Sequence, residues 1–298
     1  MNEEDYIYKF YTVNENNLAA LNCSSLWFSV SYDFNDPFEG AVLPVFENFD
    51  NSAVINTVKG MHELVCNGTL SENNILGIKK SSKVEFEQRL VEKILSDKNL
   101  IKNLKKAFIE NFIGIRASLL DSSGMCSFSV TKDNKKPIDN ILMWSHYGAG
   151  FKGFCIKYNK NKVLKSLPVK SFLNQQLIEY RDKPIEIDVH KFTTDCLEAF
   201  KKVKNLSNNF MDMFFIKHIS WEYESELRLM NEHGGLVKID PESVEEIYLG
   251  GKMANDKKEL IFKLLQQQNS NVSFFESQMK KFEFGFEHYP FQHHGNRK

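Results

Sequence analysis

The chain has 298 residues and a formal net charge of -1, so its overall charge gives no attraction to nucleic acid or to anionic lipid. No run of about eighteen apolar residues is present, which argues against a membrane-spanning helix. Its 25 phenylalanines supply ample material for a core. We therefore expect a single domain over residues 1–290 and a disordered tail at 291–298.

The cysteines and the N-terminus predict a cytoplasmic protein. The five cysteines are odd in number and widely spaced, and none forms a C-x-x-C pair, so we expect reduced, buried thiols and no structural zinc. The first residues are acidic and no apolar segment follows them, unlike a secretory signal. The eight histidines form no H-E-x-x-H motif, and no metal site is predicted.

Strands and helices follow one another without regular alternation. Strands are predicted, in chain order, at 6–12, 26–30, 125–130, 153–158, 236–239, 244–249, 272–276 and 280–287. Apolar spacing near 3.6 predicts a helical insertion at 52–120, a long helix at 190–217 and a closing helix at 255–267. Strands in clusters with helices between them indicate an α+β fold with small mixed or antiparallel sheets.

The stretch from Trp221 to Leu229 alternates aromatic or aliphatic residues with charged ones. Such alternation predicts a strand with one packed face and one charged face. The charged face would carry Glu222, Glu224, Glu226 and Arg228. Three carboxylates beside a guanidinium can orient a polar substrate and stabilise positive charge. The alternative is a solvated strand face, which has the same pattern.

The loop after the second strand is rich in short polar residues. Asn35, Asp36 and Glu39 flank Pro37 and Phe38, and loops concentrate binding residues, so the three polar residues are candidates for ligand contact. The alternative is a tight turn that places the Phe38 ring in the core.

A short predicted helix carries an indole, an imidazole and a phenol close together, in Trp144, His146 and Tyr147. A helix C-terminus favours a protonated imidazole, which would help His146 to hold an anion. In the alternative interpretation Trp144 anchors the helix and His146 is an ordinary surface residue. The glycines that follow come after a helix and before a strand, which is the reverse of a dinucleotide-binding fingerprint.

Taken together, these segments resemble a bacterial family of domains of unknown function, number twenty-nine seventy-one, over residues 6–250. The segments that carry the resemblance are Tyr8–Phe10, Leu26–Ser29, Asn35–Glu39, Cys126–Ser129, Met143–Tyr147 and Trp221–Arg228. The family implies no activity.

More distantly, the order of these segments is similar to the split core of ADP-ribosyltransferases, which bind NAD in a cleft between two small sheets. That resemblance implies that Tyr8, Lys9 or Tyr11 contacts the ribose and that Ser29 supports the nicotinamide side. The first strand has no His or Arg, the residues which that class carries there.

The same resemblance implies that Glu226 is catalytic and that Glu224 positions the acceptor. The leading hypothesis is a nucleotide-like ligand cleft of an NAD-dependent ADP-ribosyltransferase or NAD glycohydrolase in stress or phage defence. NAD would be its substrate, with no resident cofactor predicted, and the acceptor would be a protein or a nucleic acid. The alternative is a non-catalytic sensor or interaction module in which the polar cluster, including Arg228, is structural. A nuclease is a weaker hypothesis, because the matched segments contain few basic residues.

Overall fold

The structure is a computed structural model that describes residues 3–47, 49–73, 76, 78–97, 99–200 and 211–293. The chain forms two compact units, and the segments of the first are Met1–Pro37, Ser122–Arg181 and Lys217–Lys298. The second unit takes Phe38–Asp121 and Asp182–Ile216. The predicted insertion at 52–120 lies within the second unit, and the single-domain boundary stays a prediction. Of the predicted tail, 294–298 lie outside the described residues.

The described strands are β1 (Tyr6–Tyr11), β2 (Ser25–Phe28), β3 (Val42–Val45), β4 (Gly124–Ser129), β5 (Phe154–Asn159), β6 (Phe172–Leu177), β7 (Glu179–Arg181), β8 (Ile185–Asp188), β9 (Ile216–His218), β10 (Glu226–Asn231), β11 (Gly235–Lys238), β12 (Val244–Gly250), β13 (Ser273–Met279) and β14 (Phe286–Pro290).

The described α-helices are α1 (Glu15–Asn22), α2 (Asn51–Cys66), α3 (Lys83–Ser96), α4 (Leu100–Ser122), α5 (Ile141–His146), α6 (Lys160–Ser166), α7 (Val189–Phe200) and α8 (Asn255–Gln268). Helices and strands of this kind confirm the α+β prediction. Within the described part of the chain, every helix is too short or too polar to cross a membrane.

The first unit is built on one eight-stranded sheet in the order β14-β13-β12-β5-β1-β4-β10-β6. Among the described strands of this sheet only the β12–β13 pair is parallel, and α8 lies between these two strands in the chain, as a parallel connection requires. The other neighbours in the sheet are antiparallel. The predicted small mixed sheets thus take the form of one large mixed sheet, to which two-stranded sheets such as β2–β11 are added.

The two faces of this sheet carry separate apolar clusters because side chains alternate along β1. Ile7 and Tyr11 belong to the larger cluster, which also contains residues of α1, α6 and α8. Tyr8 and Phe10 belong to the smaller cluster, together with Trp144 of α5. The candidate site lies on the second face.

The second unit combines the helices α2, α3, α4 and α7 with the parallel strand pair β3–β8. The apolar spacing predicted in α4 is confirmed by Leu104, Phe108 and Phe112, which are buried. Phe112 also makes an edge-to-face contact with Phe192 of α7, at 5.1 Å between ring centroids. The helices therefore pack through aromatic faces, as their spacing indicates.

The predicted strand at 221–229 is wrong in its first half. Residues Ile219–Glu224 form a 3-10 helix, and Ser225 has a left-handed backbone with φ of 45°. A residue in this conformation ends the turn and redirects the chain, so β10 begins only at Glu226. Glu222 is therefore not on a shared strand face, and its carboxylate pairs with Lys132 at an exposed site.

Two other predictions need correction. Of the helix predicted at 190–217, the structure describes a helix over Val189–Phe200, and residues 201–210 lie outside the described residues. The last part of the prediction is wrong, because Asp212–Phe215 form a 3-10 helix and β9 begins at Ile216. The cysteines are free as expected, but only Cys126 and Cys155 are buried, whereas Cys23 and Cys66 are exposed. Both exposed thiols lie at helix C-termini, Cys23 directly after α1 and Cys66 as the last residue of α2, where apolar neighbours in sequence do not ensure burial.

Candidate functional site

A pocket of about 320 Å³ opens on the α5 face of the central sheet, within the first unit. Its lining comes from β1, β4, β9, β10, the loop after β2, α5 with the residue that follows it, and the end of the 3-10 helix after β9. The residues that line it are Tyr8, Lys9, Phe10, Asp33, Phe34, Asn35, Ser127, Phe128, Ser129, Met143, His146, Tyr147, Lys217, Glu224 and Glu226.

Strand register places the floor of this pocket. Ser129 of β4 lies opposite Tyr8 of β1 on one side and opposite Glu226 of β10 on the other. Residues opposite each other in adjacent strands point to the same face, so the phenol, the hydroxyl and the carboxylate form one row across three strands. Arg228 is two residues further along β10 and shares that face, opposite Ser127.

Four buried charges form one connected network, which includes Glu226 of this floor. Lys217 Nζ lies 2.7 Å from Glu224 Oε2 and 2.6 Å from Glu226 Oε2. The second contact is an ion pair without hydrogen-bond alignment. Arg228 Nε donates to Glu226 Oε1 at 2.8 Å. None of the four residues is more than 6% exposed, and two cations balance two carboxylates. The network is therefore neutral, as burial requires.

The local backbone brings the two carboxylates to the same lysine. Glu224 is the last residue of the 3-10 helix and Glu226 is the first residue of β10. Ser225, between them, turns through the left-handed region. The backbone N–H of Glu226 is held by the hydroxyl of Tyr180, at 2.9 Å, which fixes the start of the strand.

The pKa values of the two carboxyl groups are shifted in opposite directions. Burial raises the pKa of Glu226, but the adjacent Arg228 and Lys217 outweigh burial and hold the pKa well below its usual range. Burial also raises the pKa of Glu224, and here Lys217 offsets it only in part while the charge of Glu226 adds to it. The site therefore holds one firmly ionised carboxylate beside one that is easier to protonate.

Hydroxyl and aromatic groups complete the rim. The Tyr147 hydroxyl donates to Glu224 Oε1 and accepts from Asn35 Nδ2 at 2.8 Å. His146 Nδ1 lies 2.7 Å from the hydroxyl of Tyr223. Burial, followed by the charge of Glu224, raises the pKa of Tyr223 to about 12, so this phenol stays neutral at physiological pH.

The loop after β2 covers the guanidinium. The Phe34 ring lies 5.1 Å from the Cζ atom of Arg228, in a cation–π contact, and Arg228 is fully buried. Phe34 also lines the pocket. The Phe34 ring therefore lies between the pocket and the Arg228 guanidinium, whereas Lys217, the other cation that pairs with Glu226, lines the pocket.

The structure brings together most of the residues predicted for the site. The predicted residues that line the pocket are Tyr8, Lys9, Asn35, His146, Tyr147, Glu224 and Glu226. Arg228 contacts the pocket only through Glu226 and Phe34. Tyr8 and Lys9 also have protein partners, since the Tyr8 hydroxyl donates to Glu3 and Lys9 Nζ donates to the carbonyl of Ser127 at 2.9 Å.

Five predicted residues lie elsewhere. Tyr11 points to the opposite face of the sheet, where its hydroxyl bonds that of Tyr158. The Trp144 indole is 1% exposed in the core and donates to the carbonyl of Ile138 at 2.7 Å. Ser29 makes backbone bonds to Met125. The last two, Asp36 and Glu39, are buried and are not among the lining residues, and Glu39 falls in the second unit.

Lys217 is the main residue that the sequence analysis missed. It bridges both carboxylates, yet the helix predicted at 190–217 placed it at a helix end. The signal in the sequence is a single lysine inside the apolar run from Met213 to Ile219. A buried lysine among apolar residues needs a carboxylate partner, and such a partner follows seven residues later in Glu224.

Metal chemistry has no support in the part of the chain that the structure describes, since no group of three or more His, Cys, Asp or Glu side chains is placed to hold an ion there. The donors that converge on the pocket are instead carboxylates, a lysine ammonium and phenols. These groups bind and orient polar organic ligands and exchange protons with them.

Comparison with protein-family models gives a match over part of the chain. No curated protein and no solved structure matches the chain significantly. The predicted similarity to ADP-ribosyltransferases is therefore not supported by relatives. The segment that matches a family model begins in α5 and ends in β10. It includes the site residues His146, Tyr147, Lys217, Glu224, Glu226 and Arg228. Residues 143–229 match the family model described as "Protein of unknown function (DUF2971)", which supports the predicted resemblance to that family.

Proposed function

We propose that the pocket binds NAD, or a closely similar nucleotide, and that its two carboxylates cleave the bond between nicotinamide and ribose. The observation that carries this proposal is the pair Glu224 and Glu226, whose pKa values are driven apart within one pocket. Two carboxyl groups with divergent pKa values in a cleft are typical of acid–base sites.

Each carboxylate has a distinct role in the proposed reaction. As the carbon–nitrogen bond breaks, its electron pair leaves with nicotinamide and positive charge develops on the ribose. Glu226, ionised because Arg228 and Lys217 hold its pKa low, stabilises that charge. An acceptor oxygen, from water or from a macromolecule, then bonds to the ribose carbon. Its proton passes to Glu224, whose raised pKa suits a base.

The size and lining of the pocket suit a nucleoside. Ligand pockets commonly enclose roughly 300–1,000 Å³, and a cavity of about 320 Å³ accommodates one nucleoside moiety. Phe34, His146 and Tyr147 offer rings at its wall. Asn35 is exposed at the rim, where its amide can exchange its bond to Tyr147 for a ligand hydroxyl.

Nicotinamide release from NAD by the purified protein tests the proposal, with and without cell lysate as a source of acceptor. We expect Glu224→Gln and Glu226→Gln to lower the rate about 100-fold each, the effect of removing one preorganised electrostatic group. Glu222→Gln is the matched control, because Glu222 is two residues from Glu224 yet half-exposed and paired with Lys132, and it should leave the rate unchanged.

A further variant distinguishes a loss of NAD binding from a loss of folding. His146 lines the pocket but is exposed, so His146→Ala should raise the KM for NAD while the melting temperature stays within about 2 °C. The proposal fails if the wild-type protein releases no nicotinamide and NAD causes no thermal shift.

A second candidate function is a non-catalytic sensor. It is favoured by the neutral balance of Lys217, Glu224, Glu226 and Arg228 and by their near-complete burial, because such networks also specify structure. A thermal shift with NAD in the absence of nicotinamide release would favour this function. A role in stress or phage defence stays a prediction under either one.

A further inference from the structure

A thiol and an imidazole lie side by side in the second unit. His62 and Cys66 are one turn apart on α2, so their side chains share a face of the helix. Cys66 Sγ lies 3.3 Å from His62 Nε2 and 3.6 Å from the carbonyl oxygen of Ser81. The thiol is therefore within hydrogen-bonding reach of a ring nitrogen that can accept its proton.

The two partners differ in exposure. His62 is only 6% exposed, and its ring stacks on that of Phe86 with 3.9 Å between centroids and 5° between planes. A ring held in this way keeps its orientation toward the sulfur. Cys66 is exposed at the last turn of α2. Two residues further on, an added Cβ at Gly68 would meet no described atom within 4 Å, so the chain directly after the thiol borders open space.

We propose that Cys66 is a thiol-modification site at which His62 acts as the base and a low-molecular-weight disulfide is the reactant. The thiol proton passes to His62 Nε2 while the Cys66 sulfur attacks one sulfur of the disulfide. The disulfide bond breaks, and the departing thiolate takes the proton from His62 to leave as a thiol. The product is a mixed disulfide on Cys66, and no further oxidant is consumed.

Reaction of the folded protein with 5,5′-dithiobis(2-nitrobenzoate), a small aromatic disulfide, tests the proposal. Cys23 is the internal control, since it is the other exposed thiol among the described cysteines. Mass spectrometry of quenched samples measures both sites in the same protein. We expect Cys66 to react at least roughly tenfold faster than Cys23, the scale of modest general-base assistance. In urea the two thiols should react at similar rates.

Variants separate chemical assistance from simple exposure. His62→Gln should lower the Cys66 rate to that of Cys23 without changing the Cys23 rate. Ser81→Ala keeps the imidazole and removes the hydroxyl that lies 3.2 Å from His62 Nε2, so the fast reaction should persist. The proposal is overturned if Cys66 reacts no faster than Cys23 in the folded wild-type protein, or if His62→Gln leaves a fast Cys66 rate unchanged.

Discussion

Replacing Arg228 by methionine should be among the most destabilising single changes in the first unit. The Arg228 guanidinium is fully buried and donates to Glu226 at 2.8 Å. Arg228→Met keeps much of the volume but leaves the Glu226 carboxylate with Lys217 alone, and the buried network then carries one net negative charge. Breaking a buried pair by removing one partner costs about 3–5 kcal/mol. We expect that loss in the free energy of unfolding at pH 7.

The loss should depend on pH in a definite direction. Because Arg228 and Lys217 hold the pKa of Glu226 low, this carboxylate contributes stability above its unfolded pKa of about 4.3, and that contribution is lost as the pH falls through the folded pKa. Without Arg228, burial is opposed by Lys217 only, and the folded pKa rises. The difference between wild type and variant should therefore be largest near pH 7 and shrink below about pH 5.

Urea unfolding followed by tryptophan fluorescence measures both effects. The three tryptophans, Trp27, Trp144 and Trp221, all belong to the first unit, so the signal reports the unit that contains the network. Lys132→Met is the control, because it breaks an exposed pair worth about 0–1 kcal/mol. The account of the network is refuted if Arg228→Met costs no more than this control, or if its cost is the same at pH 4.5 and pH 7.

Three further variants test separate parts of the site. Trp144→Ala should lower the free energy of unfolding, measured by urea titration, by about 3–5 kcal/mol, because the buried indole fills the core. A loss below about 1 kcal/mol would contradict this structural role and favour a role of Trp144 in binding. Ser225→Val should cost about 1–2 kcal/mol more than Ser225→Gly in the same titration, since φ is 45° there, and equal costs would contradict the left-handed turn. Tyr147→Phe removes a hydroxyl donor from Glu224, which raises the pKa of Glu224 further; the pH of half-maximal nicotinamide release should move upward, and a downward move would count against this arrangement.

Sequence patterning predicted the elements whose apolar faces are clear. β1, β4, β5 and β12 have the predicted positions within about two residues, because their alternating side chains pack on the two clusters of the sheet. The polar strand β6 was missed. Its residues from Leu173 to Leu177 are exposed, so no apolar alternation marked it, and only pairing with β10 makes it a strand.

The candidate site was predicted only in part, because strand alternation does not show which other elements approach a residue. Glu224 and Glu226 were selected by spacing on a supposed strand, and they do converge, but through the turn at Ser225 and a shared contact with Lys217. Strand alternation cannot indicate a partner that approaches from β9. Tyr11 is predicted at the site together with Tyr8, but residues three apart in a strand point to opposite faces, and Tyr11 lies in the other cluster.

The pH dependence of nicotinamide release from NAD, measured as kcat/KM with wild type, Glu224→Gln and Glu222→Gln, tests the central claim most directly. If Glu224 is the base and Glu226 the ionised partner, the wild-type and Glu222→Gln rates should rise together with pH through the raised pKa of Glu224 and then level off. The Glu224→Gln rate should be low and free of that rise. An absence of nicotinamide release at every pH, or a Glu224→Gln profile that matches wild type, would contradict the account.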